Sequence, residues 1–396
     1  MSTEVIVVNW NNRRETLECL AAVDAQLRDI DDASITVVDN GSTDGSATAI
    51  AARFPYAKLF ALHENRGFTG GVSAALSGSS ARNVVFLNND AVPEPGWLAA
   101  LARAIDEAPD DVISIGGRIV DPENKNIDFI GGMLTFDGHA LQNGFRYPIG
   151  SREEPESGAE ILFACGGNMI SRRAKLIALG GFDDDYFAYL EDVDFGWRTW
   201  LSGSRALFEP RALVRHASST TSNRLGDFER GVLFERNALQ TSIKNLEDLR
   251  TNGAAVFFTY LHRLHHFAAT RNPRAGELAR EAFNGSPHVP SKPSLLRRIK
   301  RKLFGARPLA AIDDPLTTMQ FRALDWIVKH EAALAKKRER VQAMRRRPDA
   351  EIFAKFPMHI VPTYPGDDML MQSALFRVLA PDLPSVDRNL SDIIRP

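Results

Sequence analysis

The run Val84-Val85-Phe86-Leu87 is apolar at every position and stops on Asn88-Asn89-Asp90. A strand without polar alternation belongs inside a sheet covered on both faces, the habit of parallel sheets in α/β proteins. The following Pro93-Glu94-Pro95-Gly96-Trp97 reads as a turn into a helix. One carboxylate, with two amides before it, therefore falls at the carboxyl end of a strand, the edge at which open α/β sheets bind ligands. Two chemistries fit such a motif. Asn and Asp can cap the next helix, or Asp90 can hold a divalent cation that in turn holds a diphosphate.

The surrounding chain repeats the same alternation. Strands are expected over 4–10, 35–38, 57–62 and 112–115, and helices over 13–27, 44–54, 70–80 and 97–108. This is the pattern of a doubly wound α/β sheet. After Ile119 the text turns Gly-rich and short in period, and antiparallel strands or an Ω-like excursion are expected over 127–136. A polar loop over 151–158, a strand over 160–164, short helices over 172–179 and 190–201, and short strands over 206–208 and 213–215 follow. From Asp227 onward the sequence is helical, over 228–249, 254–270 and a long basic stretch at 319–347, before a proline-rich tail expected to be extended, with one helix near 369–379. The division expected is an α/β domain over 1–225 and a mainly helical region over 226–396.

Charge and cysteine content exclude several classes. The formal net charge is −2, so no global field favours nucleic acid, and no nucleic-acid recognition module accompanies the local basic runs. The two cysteines, Cys19 and Cys165, form no CxxC or Cys/His cluster, which fits a reducing compartment without structural zinc. No basic leader and no apolar run of about 20 residues occurs, so the expected location is cytoplasmic, with peripheral membrane contact as the further option. That contact would use the seven cations from Lys292 to Arg307, interleaved with apolar residues and free of acids. A solvated helix face or a surface between copies of a homo-oligomer reads the same run equally well. The stretch 319–347, with nine cations against three acids, could dimerise, bind lipid phosphates or cover the α/β domain.

Four further constellations carry chemistry. Asp39 closes the second strand on the same sheet edge as Asp90, where a carboxylate can accept from a ribose hydroxyl or a base N–H. Neither GxGxxG nor GxxxxGK[ST] is present, so dinucleotide-binding and P-loop readings fail. Glu64-Asn65-Arg66-Gly67-Phe68-Thr69-Gly70-Gly71 joins strand to helix with glycines that permit close backbone approach, and its amides with Arg66 could serve a phosphate or a sugar. In Tyr189-Leu190-Glu191-Asp192-Val193-Asp194-Phe195-Gly196-Trp197-Arg198, helical spacing puts Glu191, Asp194 and Arg198 on one face and points Asp192 elsewhere. These acids either complement a helix dipole or present a general base to a hydroxyl. His216 ends a short strand ahead of a Ser/Thr-rich run over 218–222, as a structural residue or a ligand for a borderline divalent ion.

Taken in order, Val7-Val8-Asn9-Trp10-Asn11, Val37-Val38-Asp39-Asn40-Gly41-Ser42-Thr43-Asp44-Gly45, Glu64-Asn65-Arg66-Gly67-Phe68, Leu87-Asn88-Asn89-Asp90, Gly166-Gly167-Asn168, Gly180-Gly181-Phe182-Asp183 and Tyr189 to Asp194 with Arg198 resemble family 2 glycosyltransferases of the GT-A fold, in particular the bacterial rhamnosyltransferase-like branch. The resemblance spans about residues 4–220. It implies a nucleotide-sugar site formed by Asn9, Asp39, Asn65, Arg66, Gly67, Asn89 and Asp90. It implies Mg²⁺ or Mn²⁺ on Asp90 with help from His216, Asp192 as catalytic base, and Glu191, Gly167 and Asn168 on the acceptor side. Asn88 departs from the family's DXD pattern, which leaves one carboxylate for the metal, and Ser73 stands where Asn is more usual. The reaction implied is a metal-dependent, inverting hexosyl transfer to a glycan or lipid-linked acceptor in bacterial cell-wall or O-antigen polysaccharide synthesis. The donor expected first is dTDP-rhamnose, with a UDP-sugar such as UDP-galactofuranose behind it. Two other classes stand beside it. A nucleotidyltransferase would carry a glycine-rich basic loop where Asn11-Asn12-Arg13-Arg14 stands, and a non-catalytic glycan-binding scaffold would have no use for both Asp90 and Asp192.

Overall fold

The computed structural model describes residues 2–217, 226–271 and 314–395. Its centre is a mixed sheet ordered β3-β2-β1-β4-β10-β6-β11-β5, with β7 paired to β6. The strands are β1 (Thr3–Asn9), β2 (Ala33–Asn40), β3 (Lys58–Leu62), β4 (Asn83–Asn88), β5 (Ala91–Pro93), β6 (Val112–Val120), β7 (Ile127–Phe129), β10 (Asn168–Arg172) and β11 (Arg205–His216). Strands β3, β2, β1 and β4 run parallel, so their polar carboxyl-end residues gather on one edge, with Asn9 paired to Asp39 in register. Helices α1 (Arg13–Asp24), α2 (Ser46–Arg53), α3 (Gly67–Ser77) and α4 (Trp97–Glu107) connect them. Val85 and Leu87 join one buried cluster and Val84 and Phe86 another, on opposite faces of the pleat. Two covered faces are the reason β4 carries no polar alternation.

The second half of the sheet departs from simple alternation. Strand β10 inserts antiparallel between β4 and β6, and sequence periodicity passes it over because Gly166-Gly167 directly precedes it. The two short strands expected near 206–215 are one strand, β11, whose register slips between Glu209 and Leu213, around Pro210. The strand expected over 160–164 does not form. Ile161, Leu162, Phe163 and Ala164 are buried, yet the segment makes one isolated bridge, Glu160 to Leu207, so its apolar character reflects burial without a ladder. A small hairpin, β8 (Gly132–Leu134) with β9 (Ala140–Gln142), confirms antiparallel pairing beyond Ile119.

Helices α5 (Arg173–Ala178) and α6 (Glu191–Leu201) complete this part. The C-terminal region begins with α7 (Asp227–Asn245) and α8 (Asn252–Arg271). The long helix expected over 319–347 is two, α9 (Pro315–Lys329) and α10 (Glu331–Ala343). They break at His330, whose backbone leaves helical values and whose Nδ1 bonds the Trp326 carbonyl at 2.8 Å while its ring stacks on Trp326. The tail is packed, not extended. It comprises α11 (Asp349–Lys355), β12 (Met358–Ile360), α12 (Asp367–Met371), α13 (Ala374–Leu379), β13 (Ser385–Asp387) and α14 (Leu390–Ile393). Phe353 and Phe356 seat against Trp197 and Trp200 of α6, and one core cluster holds residues from both parts of the chain. Burying two aromatic pairs this way outweighs the turn preference of the prolines. No described helix is long and apolar enough to cross a membrane. The Lys292 to Arg307 run and the 218–222 run lie outside the described residues.

Candidate active site

A cavity of about 690 Å³ opens over the carboxyl edge of the sheet. Its floor is Asn88, Asn89 and Asp90. One wall is Val8, Trp10, Asn40, Asn65 and Gly67, the opposite wall Cys165, Gly166, Gly167, Glu191 and Asp192, and the mouth carries Leu141, Phe145, Arg230, Phe234 and Ile394. The strand ends, the α6 terminus, α7 and the tail therefore all contribute.

Beneath the first wall lies a lattice of short polar side chains. Asn9 is fully buried; its Nδ2 donates to Asp39 Oδ1 (2.9 Å) and Ser42 Oγ (3.2 Å), and its Oδ1 accepts from Asn89 Nδ2 (3.0 Å) and Thr16 Oγ1 (2.7 Å). Asn9 thus locks Asp39 and Asn89 rather than lining the cavity itself. Asn40, which the sequence offers only as part of a turn, proves to be the clamp of the next loop. Its Nδ2 donates to Asn65 Oδ1 and the Gly67 carbonyl, both at 2.9 Å, and its Oδ1 accepts from Arg66 N at 3.0 Å. Arg66 itself is exposed and does not line the cavity. Gly67 has φ +73°, and a Cβ there would lie 2.2 Å from the Phe187 carbonyl oxygen, so only glycine lets this loop meet the Asp192 side of the cavity.

At the floor, β5 pairs antiparallel with the end of β11, setting His216 opposite Ala91 and so beside Asp90. His216 Nε2 lies 3.1 Å from both Asp90 Oδ1 and Asn88 Nδ2, and its Nδ1 lies 2.8 Å from Asp128 Oδ2. Burial opposes a charged ring, but hydrogen bonds to Asp128 and Asp90 outweigh it and raise the His216 pKa to about 10. Asp128, on the three-residue strand β7, was invisible to sequence reasoning, since nothing local marks it. These groups fit a divalent cation in part. A cation would have to displace the Nε2 proton of this charged ring; the carboxylate on Nδ1 would then keep the tautomer with Nε2 as the ligand, the usual outer-shell arrangement, and Asp90 supplies an adjacent oxygen. Among the described residues no three His, Cys, Asp or Glu side chains converge as a ready cation cage. Oxygens from a bound ligand would have to complete any coordination.

On the far wall, α6 starts at Glu191. Asp192 accepts from Gly166 N at 2.9 Å on Oδ2 and from Val193 N at 2.8 Å on Oδ1. Burial lifts its pKa above its ordinary value against those two N–H groups. Glu191 is pushed further, to about 8, by burial and by the Asp192 charge. Its Oε2 is buried without a hydrogen-bond partner among the described residues. Two carboxylates in unequal environments hold protons unequally: Glu191, with one oxygen unpartnered, is pushed up further than Asp192, which two backbone amides hold.

The face expected from helical spacing is corrected here. Glu191 and Asp192 both line the cavity, whereas Asp194 is fully buried away from it, paired with Arg198 (2.8 Å) and Lys244 (3.0 Å). Asp194 does share a face with Arg198, its neighbour four residues on, as the spacing predicts; it is Glu191, in the first turn, that leaves this face for the cavity. Gly167 lets β10 pass Asn88, since a Cβ there would lie 2.6 Å from the Asn88 side chain. Asn168 is fully buried and its amide is consumed by Trp97 Nε1 (2.8 Å), the Arg118 carbonyl (3.1 Å) and the Ala212 carbonyl (2.9 Å). It ties the sheet together and reaches no acceptor.

Residues 4–180 match the family model described as glycosyl transferase family 2. Two Mycobacterium tuberculosis proteins, from strains CDC 1551 / Oshkosh and H37Rv, each named N-acetylglucosaminyl-diphospho-decaprenol L-rhamnosyltransferase, are 28% identical over 211 residues, covering 48% of this chain and 68% of theirs. The O-antigen biosynthesis protein RfbC of Myxococcus xanthus is 26% identical over 226 residues, 54% of this chain and 17% of that one. Among solved structures, GalNAc-T7 with UDP, GalNAc and Mn2+ superposes with a TM-score of 0.50 at 14% identity, over 70% of this chain and 53% of that one, a likeness of fold.

Proposed function

We propose that this chain, a glycosyltransferase that belongs to family 2 through its residues 4–180, transfers a sugar with inversion from a nucleotide-diphosphate donor to a lipid-linked or glycan acceptor of a bacterial surface polysaccharide. The donor favoured is dTDP-rhamnose, on the strength of the two relatives named as L-rhamnosyltransferases, and a UDP-sugar such as UDP-galactofuranose is the alternative. The observation that carries the reading is that two sites line one cavity: Asp192, held by two backbone amides beside Glu191, and Asp90 with His216 on the floor.

The chain's residues divide the work. The nucleotide lies along the wall of Trp10, Asn40 and Asn65, over the Asn9–Asp39–Asn89 lattice. The donor diphosphate turns toward Asp90 and His216. A Mg²⁺ or Mn²⁺ ion held by Asp90 and His216 Nε2 would neutralise charge on the leaving diphosphate. Asp192 accepts the proton of the acceptor hydroxyl as that oxygen bonds to the anomeric carbon from the side opposite the phosphate, whose C–O bond breaks. Positive charge develops on the sugar ring at that point, and Asp192, oriented by Gly166 N and Val193 N, faces it. An acceptor anchored in a bilayer would bring the enzyme to the cytoplasmic membrane surface, with the cations from Lys292 to Arg307 as the contact. Liposome flotation of the chain with that run deleted tests this; undiminished binding to anionic vesicles rules the run out.

The deciding experiment is a donor panel (dTDP-rhamnose, UDP-galactofuranose, UDP-glucose, GDP-mannose), each with and without Mn²⁺, read as released nucleoside diphosphate. Release is expected from dTDP-rhamnose with metal and not from Asp192→Asn. Release from no donor, or equal release by Asp192→Asn, refutes the proposal.

A further inference from the structure

The loop that delivers Asp192 is strained. Phe187 (φ 64°, ψ −60°), Tyr189 (φ 72°) and Leu190 (φ 64°, ψ 5°) are non-glycine residues with positive φ, within four positions of one another. Such a run persists only where the surroundings over-determine it. Thr69 N at the start of α3 donates to the Phe187 carbonyl at 3.2 Å, and three other carbonyls of the loop meet α7, which lies beyond the family match. Asn237 Nδ2 donates to three carbonyls of the loop, those of Tyr186 (3.1 Å), Ala188 (2.8 Å) and Tyr189 (2.7 Å). Arg236 Nη2 donates to the carbonyls of Asp185 (2.7 Å) and Tyr186 (2.8 Å). The Tyr189 ring stacks on Phe234, centroids 4.6 Å apart.

Asn237 is fully buried, and its own orientation is fixed. Its Oδ1 accepts from Gln240 Nε2 (2.8 Å) and Arg236 Nε (3.1 Å), so its NH₂ group must point at the loop. Three carbonyl dipoles converging on one buried point repel one another unless a donor sits at the focus. We propose that Asn237, seconded by Arg236, is the positioning residue of the base: it holds Phe187, Tyr189 and Leu190 in positive φ and thereby keeps Asp192 on Gly166 N and aimed into the cavity. This rests on the reading of Asp192 as base. It makes the helical region part of the catalytic apparatus.

The test compares Asn237→Asp, which keeps the shape and removes the donor, with Thr241→Val. Thr241 sits one turn further along the same helix and meets the Tyr186 hydroxyl at 2.6 Å without touching the strained carbonyls. Asn237→Asp is expected to lower kcat on the order of 100-fold, the scale of an ångström-sized misplacement. Its KM for the nucleotide-sugar donor should stay within about threefold, because Asn40 and Asn65 lie on the other wall, and amide hydrogen exchange should rise at 187–192. Thr241→Val should lower the melting temperature while sparing kcat. Wild-type kcat in Asn237→Asp, or an equal kcat loss in Thr241→Val, overturns the proposal. Should Asn237→Asp fail to fold, Arg236→Met, at a partly exposed position, decides: a roughly fivefold fall in kcat at constant donor KM is expected, and wild-type kcat overturns it. A wild type inert toward every donor would defeat the functional reading alone. Exchange at 187–192 would still judge Asn237, and unchanged exchange in Asn237→Asp would overturn its role.

Discussion

Two of the buried acidic clusters among the described residues are built on opposite principles. One is the Glu191–Asp192 pair on the cavity wall. The other joins hairpin β8–β9 to helices α7, α8 and the tail: Asp137, His139, Glu235, Arg263 and Asp367. In the second, each charge meets its opposite. Arg263 contacts Asp137 and Asp367, both at 2.8 Å, His139 lies 3.2 Å from both Asp137 and Glu235, and Tyr364 and Gln320 donate to Glu235. Although burial resists it, the neighbouring His139 and Arg263 hold Asp137 far below the usual carboxylate range and Glu235 at about 2, while Asp137 and Glu235 raise His139 to about 10. In the first cluster no cation among the described residues pairs with either acid, and Glu191 rises to about 8. Compensated burial makes a joint, and uncompensated burial leaves a carboxyl group with a raised pKa on the cavity wall.

Substitution can break this contrast. Asp192→Asn should lower kcat by about 10³-fold with the fold intact, within the 10²–10⁴-fold range of general-base catalysis, as read by product formation and circular dichroism. Arg263→Met should destabilise by about 3–5 kcal/mol, because two buried carboxylates lose their cation; denaturant titration checks it, and a change near zero would dissolve the distinction. The pH dependences should run differently. His139, raised in the folded state, contributes stability that is complete below about 6.5 and lost as pH climbs through about 10. Melting temperatures should therefore fall from pH 7 to 10, and fall less in His139→Gln. Glu191, also raised, opposes folding progressively from about pH 4.5 to 8, so Glu191→Gln should stabilise at pH 8 by about 1–3 kcal/mol and be neutral at pH 4. The smallest effect belongs to the donor wall: Asn40→Ala should raise donor KM about tenfold with kcat little changed, the worth of about one net hydrogen bond.

Legibility in the sequence followed the range of the interactions. Strand ends carrying Asp39 and Asp90, the glycine-bearing loop at Asn65 to Gly67 and the acidic start of α6 could all be placed from local pattern. Asn9 and Asn168 belong to the same motifs, but their side chains turn inward, because a polar group near a strand end may serve the sheet as readily as a ligand. Asp128 and Asn237 carry no local mark at all, and Asn40 only that of a turn; each matters through a partner. His216 could be suspected, yet its meeting with Asp90 depends on β5 pairing with the end of β11, 126 residues away along the chain.

What the sequence by itself determined is the edge: apolar runs buried on two faces make parallel strands, parallel strands end together, and their polar ends make one ligand-binding rim. What only the tertiary structure decided is which of those polar groups are compensated. The antiparallel insertion of β10 brings Gly166 N to Asp192, and the return of α7 brings Asn237 to the strained loop. Cations fall to Asp137, Asp194 and Glu235 and not to Glu191. Backbone pattern is a short-range property, written every second or every third to fourth residue. The pKa of a buried carboxylate is a long-range one, set by whichever charges the fold delivers to it.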